Sequence, residues 1–130
     1  MRGPGFSFSA PTGWSTNRTQ RAVAVESGKS RVSVTTYTLQ KPYRPALFAA
    51  AAKELDGIAA KLAAEAGETL TQKQTVEVDG RRIRAYRFGS TRIGFVLRGK
   101  REYQLLCQLP PAGDDSDGAC DLLFKSFSLV

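Results

Sequence analysis

Histidine is absent from this sequence, and so are the common catalytic motifs. Histidine is the usual general base near neutral pH and the commonest protein ligand for metals. The chain also lacks a G-x-S-x-G elbow, a C-x-x-C pair, a glycine-rich dinucleotide fingerprint and an H-E-x-x-H pair. Its 12 acidic residues are dispersed, apart from one small cluster at Asp114, Asp115 and Asp117. We therefore expect a protein that is not an enzyme and that holds no cofactor or metal.

The acidic cluster does not fit a calcium-binding loop. When Asp117 and Gly118 are aligned with the D-G step of an EF-hand, Gly113 falls at the first ligand position. Phe124 then stands where a bidentate glutamate is required. We predict instead that Ser116 or Asp117 caps a following helix.

Long apolar runs are also missing from the sequence. No run approaches the roughly 18 residues that a membrane-spanning helix needs. Met1–Gly5 shows no apolar segment of the kind found in signal peptides. Two interpretations remain, a cytosolic protein or an exported one whose signal is absent from this sequence. The 130 residues, 42% hydrophobic and 24% charged, predict a single domain over residues 1–130.

Cysteine is scarce, and the two cysteines bear on the compartment. Cys120 follows Cys107 by thirteen positions, across a polar loop. A disulfide closing such a loop contributes about 3 kcal/mol to stability in the chain-entropy model. The alternative is two free, buried thiols, since cysteine is among the most buried residue types. An even count without a C-x-x-C pair favours a Cys107–Cys120 disulfide and an extracytoplasmic protein, with a cytoplasmic one as the alternative.

Positive charge is plentiful, with a formal net charge of +7 and an isoelectric point near 9.8. Such a field attracts anionic partners in a salt-dependent manner. Between Arg81 and Arg101, the basic residues alternate with apolar ones or cluster at turns. This pattern favours a solvated strand edge. A candidate surface for anions or a partner nevertheless comprises Arg81, Arg82, Arg84, Arg98, Lys100 and Arg101.

The second half of the chain predicts four consecutive antiparallel strands. The proposed strands are Thr75–Val78, Arg81–Phe88, Arg92–Arg98 and Glu102–Leu109. Asp79-Gly80 suits a two-residue type I′ turn, which sets Val78 opposite Arg81 and Val76 opposite Ile83. A second turn at Gly99-Lys100 is expected to set Val96 opposite Tyr103 and Leu97 opposite Glu102.

The first half predicts short strands followed by one long helix. Phe6–Ser9 alternates as a strand, Trp14 is expected in the core, and Ala22–Glu26 and Arg31–Leu39 form a hairpin with a four-residue loop. A helix is predicted over Pro45–Ala66, ended by Gly67. Its predicted core stripe contains Phe48, Ala51, Leu55, Ile58 and Leu62.

A short helix through Cys120 and Phe124 completes the predicted order of elements. This order indicates an α+β fold. It comprises an antiparallel sheet of about six to seven strands, sandwiched by the long helix and the short C-terminal helix.

Four segments carry a resemblance to a known family. They are Phe6-Ser7-Phe8-Ser9-Ala10-Pro11-Thr12-Gly13-Trp14, Val76-Glu77-Val78-Asp79-Gly80-Arg81, Gly99-Lys100-Arg101-Glu102-Tyr103-Gln104-Leu105 and Leu122-Leu123-Phe124-Lys125-Ser126-Phe127. In this order the chain resembles the Mog1/PsbP-like family, which includes photosystem II extrinsic subunits, a nuclear Ran-binding protein and bacterial secreted or lipid-anchored proteins. The resemblance implies a binding or assembly module. The cysteine pair departs from the plant and nuclear branches and points to the bacterial secreted group, and no metal ligands are carried over.

Three functions stay open at this point. The first is an extracytoplasmic, non-catalytic binding or scaffold module whose partner is a protein or a cell-envelope component. The second is a basic-surface binder of nucleic acid or another anionic polymer. The third is a small-ligand carrier with a pocket between helix and sheet near Trp14 and Tyr103.

Overall fold

A computed structural model of the protein describes residues 1–108 and 116–130, the side chains of residues 116 and 117 excepted. The described chain forms two antiparallel sheets and two α-helices, so the predicted α+β class is confirmed. The larger, six-stranded sheet has the order β3 (Ser15–Arg18), β4 (Ala22–Ser27), β5 (Ser30–Tyr43), β8 (Thr91–Gln108), β7 (Arg81–Phe88) and β6 (Gln72–Val78). The smaller sheet has the order β1 (Arg2–Gly3), β2 (Phe6–Ser7) and β9 (Ser128–Leu129). The helices are α1 (Phe48–Glu65), preceded by a 3₁₀ turn at Pro45–Leu47, and α2 (Ser116–Ser126).

The β6–β7 hairpin has the predicted register. Val78 lies opposite Arg81 and Val76 lies opposite Ile83. Asp79 and Gly80 have φ angles of 53° and 72°, as a type I′ turn requires. The prediction is therefore confirmed, because this turn is specified by the two residues that form it.

The predicted turn at Gly99-Lys100 is wrong. The chain continues through this dipeptide as part of β8, an 18-residue strand. The first part of β8 pairs with β7, and the part after Gly99 pairs with β5, so that Tyr103 lies opposite Thr36 instead of Val96. Glu102 accordingly lies opposite Tyr37 instead of Leu97. A glycine with φ of 56° fits a turn or a bulge equally well, and here it forms the irregularity of a bulge.

The irregularity at Gly99 changes which face of the sheet the following side chains occupy. Ile93 and Phe95 pack beneath α1, whereas Tyr103 and Leu105 pack in the core on the opposite face. All four have odd numbers and would share one face of a regular strand, since side chains alternate with a period of two. One extra residue in β8 therefore brings Glu102 to the α1 face.

The partner strand β5 is also irregular at this point. Thr38 lies opposite Arg101 and Tyr43 lies opposite Gly99, so residues 39–42 of β5 face only Lys100 of β8. Pro42 has no N–H group and cannot contribute a donor to the ladder. Residues 39–42 consequently form a wide bulge beside α1.

The β4–β5 hairpin is tighter than predicted. Ser27 and Ser30 are paired, which leaves a two-residue loop, Gly28-Lys29, in place of four residues. Gly28 has φ of 59°, a conformation that glycine adopts at little cost.

The main core lies on the sheet face opposite α1. It is closed by the smaller sheet and by α2. Trp14, which was expected in the core, is only partly buried and packs at its margin. Its central aromatic residues are Phe6, Tyr103 and Phe127, with ring centroids 5.9 Å apart in each pair. The remaining buried members are Phe8, Val23, Val25, Val32, Val34, Val78, Ile83, Ala85, Val96, Leu105, Cys107, Ala119, Cys120, Leu123 and Phe124.

The second core, beneath α1, is smaller. Leu55, Ala59 and Ala63 are the buried residues of α1 and recur every four positions. They pack on four side chains of β7 and β8, namely Tyr86, Phe88, Ile93 and Phe95. The predicted stripe was thus wrong at Ile58, which is 45% exposed, because the buried side of the helix is lined mainly by alanine. The helix ends at Glu65, and Gly67 stops it as predicted with a φ of 73°. The Glu68 N–H then donates to the Ala63 carbonyl.

The predicted C-terminal helix is present as α2 and begins at Ser116. The expectations for residues 109–115, including the calcium alternative at Asp114 and Asp115, lie outside the described residues. The proposed cap at Ser116 or Asp117 depends on side chains that also lie outside them.

Two glycine substitutions provide a matched test of this packing. A Cβ added to Gly94 would lie 2.8 Å from the Phe124 ring and 3.3 Å from the Ile83 side chain, whereas one added to Gly57 of α1 meets nothing within 4 Å. We expect Gly94→Ala to lower the free energy of unfolding by about 1–3 kcal/mol through overpacking between β8 and α2. Gly57→Ala should raise it by roughly 0.5–1 kcal/mol through helix propensity. Urea unfolding of both variants measures these changes, and an unchanged Gly94→Ala midpoint would contradict the described packing of α2.

Candidate functional site

The six basic residues singled out from the sequence do not form one continuous free surface. Arg84 is committed to an ion pair with Asp56 of α1, and its side chain is only 15% exposed. Arg82 stacks over the Phe48 ring, with its guanidinium carbon 4.5 Å from the ring centroid. The Nη1 of Arg98 lies 3.5 Å from the Val130 carbonyl oxygen, at the small sheet. Side chains alternate along β7, so Arg82 and Arg84 face α1 while Arg81 does not.

Four members of the set are exposed, namely Arg82, Arg98, Lys100 and Arg101. Lys100 and Arg101 lie at the bulge between β8 and β5, away from Arg82 beside Phe48 and from Arg98 beside Val130. Arg81 is half-buried, and its Nε has no hydrogen-bond partner among the described residues. The residues of the predicted anion surface therefore lie on separate parts of the molecule, and anion binding by them stays a prediction.

The Asp56–Arg84–Tyr86 cluster joins α1 to the sheet. Arg84 donates from Nε to Oδ1 of Asp56 over 3.1 Å and from Nη2 to both carboxylate oxygens over 3.0 and 3.1 Å. The Tyr86 hydroxyl donates a further hydrogen bond to the same carboxylate. Burial acts to raise the pKa of Asp56, but the hydrogen bonds from Tyr86 and Arg84 outweigh it and lower that pKa. Burial and the bond to Asp56 raise the pKa of Tyr86.

The sequence did not lead us to predict this cluster, since Asp56 is not among the residues of the predicted core stripe. The sequence did contain one signal for this cluster. Asp56 directly follows the predicted core residue Leu55, so its side chain was bound to lie at the margin of the helix–sheet contact. All polar groups of the cluster are used within the fold, so we assign it a structural role.

A groove lies between the first half of α1 and the bulge of β5. Its volume is about 550 Å³. One wall is formed by the bulge, from Leu39 to Tyr43, and the floor includes Leu55 and Leu97. The other wall comes from the start of the helical segment, and Glu102 of β8 also lines the space. The remaining lining residues are Gln40, Lys41, Pro42, Leu47, Ala50, Ala51, Glu54 and Ile58.

Exposed apolar side chains are concentrated at this groove. Among the described residues, the large hydrophobic side chains that are exposed are Met1, Tyr37, Leu47, Ile58 and Val130. Met1 and Val130 are the terminal residues of the chain. Leu47 and Ile58 line the groove, and Tyr37 lies opposite Glu102 in the β5–β8 ladder. Of these three side chains within the described residues, two therefore line the groove and the third lies opposite a lining residue.

A second hollow continues beyond Tyr43 and Leu97. Its volume is about 290 Å³, and its lining includes Arg81, Arg82 and Phe48. The two hollows share Tyr43 and Leu97 and differ in charge, since the first is lined by Glu54 and Glu102. Acidic residues therefore line the first hollow, whereas arginines line the second.

The predicted small-ligand pocket near Trp14 and Tyr103 is not where the open space lies. Tyr103 is 5% exposed and packs between Phe6 and Phe127 on the face away from α1. Side chains fill that region, so this part of the prediction is wrong. The change of face at Gly99 is the physical reason.

The cysteines are close to each other but are not joined. Cys107 and Cys120 are free thiols, each fully buried in the main core. A hydrogen bond between the two thiols and their burial raise the pKa of Cys107. The predicted proximity of the pair is therefore observed, while the disulfide itself stays a prediction.

The stabilising role of Asp56 gives a pH-dependent expectation. A carboxyl with a lowered folded pKa stabilises the protein above its unfolded pKa, about 3.9, and this stabilisation disappears as the pH falls through the folded pKa. We expect Asp56→Asn to lower the free energy of unfolding by about 2 kcal/mol at pH 7. The difference from the parent protein should shrink below about pH 4. Urea unfolding at several pH values tests this, with Glu65→Gln on the same helix as the control, and a pH-independent difference would contradict it.

The cysteine pair gives an expectation for oxidation. With oxidised glutathione as the acceptor of two electrons and two protons, we expect the thiols to form an intramolecular disulfide. The free energy of unfolding should rise by about 3 kcal/mol, because the denatured chain is constrained. Intact mass and thiol alkylation, before and after reduction, count the free thiols. The pairing would be contradicted if, after prolonged treatment with oxidised glutathione, alkylation still labelled both thiols without any reductant.

The fold, but not the sequence, is similar to that of a solved protein. The matching structure comes from Bacteroides thetaiotaomicron and has a TM-score of 0.54 at 9% sequence identity. The match covers 97% of this chain and 45% of that protein, so this chain spans less than half the length of that protein. No protein-family model and no curated protein matches the chain. The comparisons therefore identify an architecture shared with a longer bacterial protein and no more than the architecture.

Proposed function

We propose that this protein is a non-catalytic binding or scaffold module that acts outside the cytoplasm and uses the groove beside α1 to hold its partner. The observation that carries the proposal is that the exposed side chains of Leu47 and Ile58 both line a groove of about 550 Å³. A large exposed apolar side chain gains free energy when a partner removes it from water, at about 25 cal/mol per Å². Contiguous exposed apolar surface is accordingly typical of binding sites.

The shape of the groove suits a ligand or a protruding side chain of a partner. Its volume lies within the range of roughly 300–1,000 Å³ that is usual for small-molecule sites. The bulge of β5 supplies one wall, and the helix α1 supplies the other. A few polar groups stand among apolar ones, as recognition requires.

The proposed compartment is supported by the cysteine pair. Two buried thiols within hydrogen-bonding distance are suited to form a disulfide when the surroundings are oxidising. The cytoplasm keeps such thiols reduced, so a disulfide would have its stabilising effect only after export. None of the helices in the described ranges 1–108 and 116–130 is long and apolar enough to cross a membrane.

A protein or a component of the cell envelope is the proposed partner. The resemblance to the Mog1/PsbP-like family supports this choice, because that resemblance implies a binding or assembly module. The order of a short opening strand, a hairpin, a long helix, a run of strands and a closing helix is compatible with that resemblance. The proposal does not include the nuclear or photosynthetic partners of particular members.

The nucleic-acid alternative has less support from the positions of the basic residues. Arg84 is neutralised by Asp56, and Arg82 stacks on Phe48. The exposed members of the set lie on separate parts of the molecule, so few of them can contact one nucleic-acid strand at the same time. The net charge of +7 still predicts weak, salt-sensitive attraction to polyanions.

The groove proposal predicts binding of a neutral apolar probe. We expect Nile red to bind to the parent protein with an increase in fluorescence and to bind roughly tenfold more weakly to Ile58→Ser, because one side chain of apolar contact is lost. The matched control is Val130→Ser, which removes an exposed aliphatic side chain, 82% exposed, outside the groove. Neither residue belongs to a buried core, so both variants should fold like the parent protein.

The outcome of this experiment separates the proposal from its alternative. Equal affinities of the two variants, or no binding by the parent protein, would contradict a site in the groove. A DNA titration on the same samples tests the alternative. Binding with a log–log salt slope of several units, unaffected by Ile58→Ser, would favour the basic surface instead.

A further inference from the structure

Glu102 occupies an unusual position at the groove. It belongs to β8 just after the irregularity at Gly99 and lies opposite Tyr37 of β5. Its side chain lines the groove together with Leu55 and Leu97, so the carboxylate stands beside apolar floor residues. A glutamate at this point of a sheet would ordinarily be satisfied by a cation on the neighbouring strand.

Glu102 has no such partner within residues 1–108 and 116–130. Neither a hydrogen bond nor an ion pair is made by its side chain in that part of the chain. Burial alone raises the pKa of Glu102. By contrast, Asp56 of α1 is only partly buried, with its side chain 28% exposed, and its carboxylate is compensated by Arg84 and Tyr86. Partial burial of an uncompensated carboxylate is unfavourable, and a cation brought by a ligand would relieve it.

The surroundings of Glu102 favour a cation over an anion. Glu54 of α1 is a second carboxylate on the groove lining, and Lys41 is the single basic residue among the lining residues. The groove lining is thus net acidic, although the whole chain carries +7. Tyr37 lies opposite Glu102 in the β5–β8 ladder, and Tyr43 lines the same groove as Glu102. Aromatic faces attract organic cations.

We propose that the groove selects ligands that combine an apolar body with an ammonium group, the ammonium contacting Glu102 and the apolar body contacting Leu47 and Ile58. This inference rests on the proposed function, since it names the ligand class of the same groove. Apolar contact supplies affinity, and the carboxylate supplies the distinction between cationic and neutral ligands. The arginines of the adjoining hollow lie beyond Tyr43 and Leu97, at the end away from the carboxylates.

The test compares three ligands of equal length and different charge. The ligands are n-octylamine, n-octanol and n-octanoate at pH 7, titrated into ¹⁵N-labelled protein and followed by the amide shifts of residues 39–43 and 47–58. We expect the amine to bind about tenfold more tightly than the alcohol, a difference of roughly 1.4 kcal/mol for one favourable charge contact. The carboxylate should bind most weakly, because it meets Glu54 and Glu102.

Substitutions then assign the preference to the carboxylate. Glu102→Gln keeps the size of the side chain and should lower the preference for octylamine over octanol from about tenfold to about threefold, because Glu54 remains. Glu65→Gln, on the last turn of α1 and away from the groove, should leave both affinities unchanged. Glu54→Gln is the second test, in case Glu102→Gln does not fold, and should lower the preference for the amine by about threefold.

The results distinguish this inference from the proposal on which it rests. If amine and alcohol bind equally well and Ile58→Ser weakens both, the ammonium preference is wrong while the groove remains a binding site. If none of the three ligands shifts the groove amides, both the preference and the groove site are wrong. An amine preference that survives both glutamine substitutions would also overturn the role of the carboxylates.

Discussion

The hydrogen-bond ladder of β8 is the constraint on which the rest of the structure depends. This strand is paired with β7 along its first part and with β5 along its second, so it joins the two halves of the six-stranded sheet. The odd-numbered side chains of its first part, such as Ile93 and Phe95, are buried beneath α1. Those of its second part, such as Tyr103 and Leu105, are buried in the main core on the opposite face of the sheet. One irregular residue, Gly99, meets both demands while the ladder continues.

The groove follows from how β5 adapts to this irregular strand. Four residues of β5, numbers 39–42, face a single residue of β8 and cannot remain flat in the sheet. Pro42 lacks the donor that a regular ladder would use there. The displaced segment stands beside α1, whose position over the sheet is set by Asp56 and its bonds to Arg84 and Tyr86. The open space is therefore what remains between a fixed helix and a displaced strand.

Turns and helix ends could be predicted from the residues that form them, whereas the pairing of strands distant in sequence could not. Asp79-Gly80 specified its own turn and register, and Gly67 specified the end of α1. Gly99-Lys100 was misread because a left-handed glycine suits a turn and a bulge alike, and only pairing with β5 decides between them. The site was missed for the same reason. Glu102 belongs to the groove only because of that pairing, and Ile58 is exposed because alanines provide the buried side of the helix.

The attachment of α1 is uneven along its length, and this has a mechanical consequence. The buried residues of the helix, Leu55, Ala59 and Ala63, all lie beside or after the anchor at Asp56. The turns before them contribute no fully buried residue and touch the sheet through the stacking of Phe48 and Arg82. A segment with few buried contacts yields at low free energy. Local opening of α1 is therefore expected to begin in its first half, beside the groove, because the buried residues of the helix lie from Leu55 onwards.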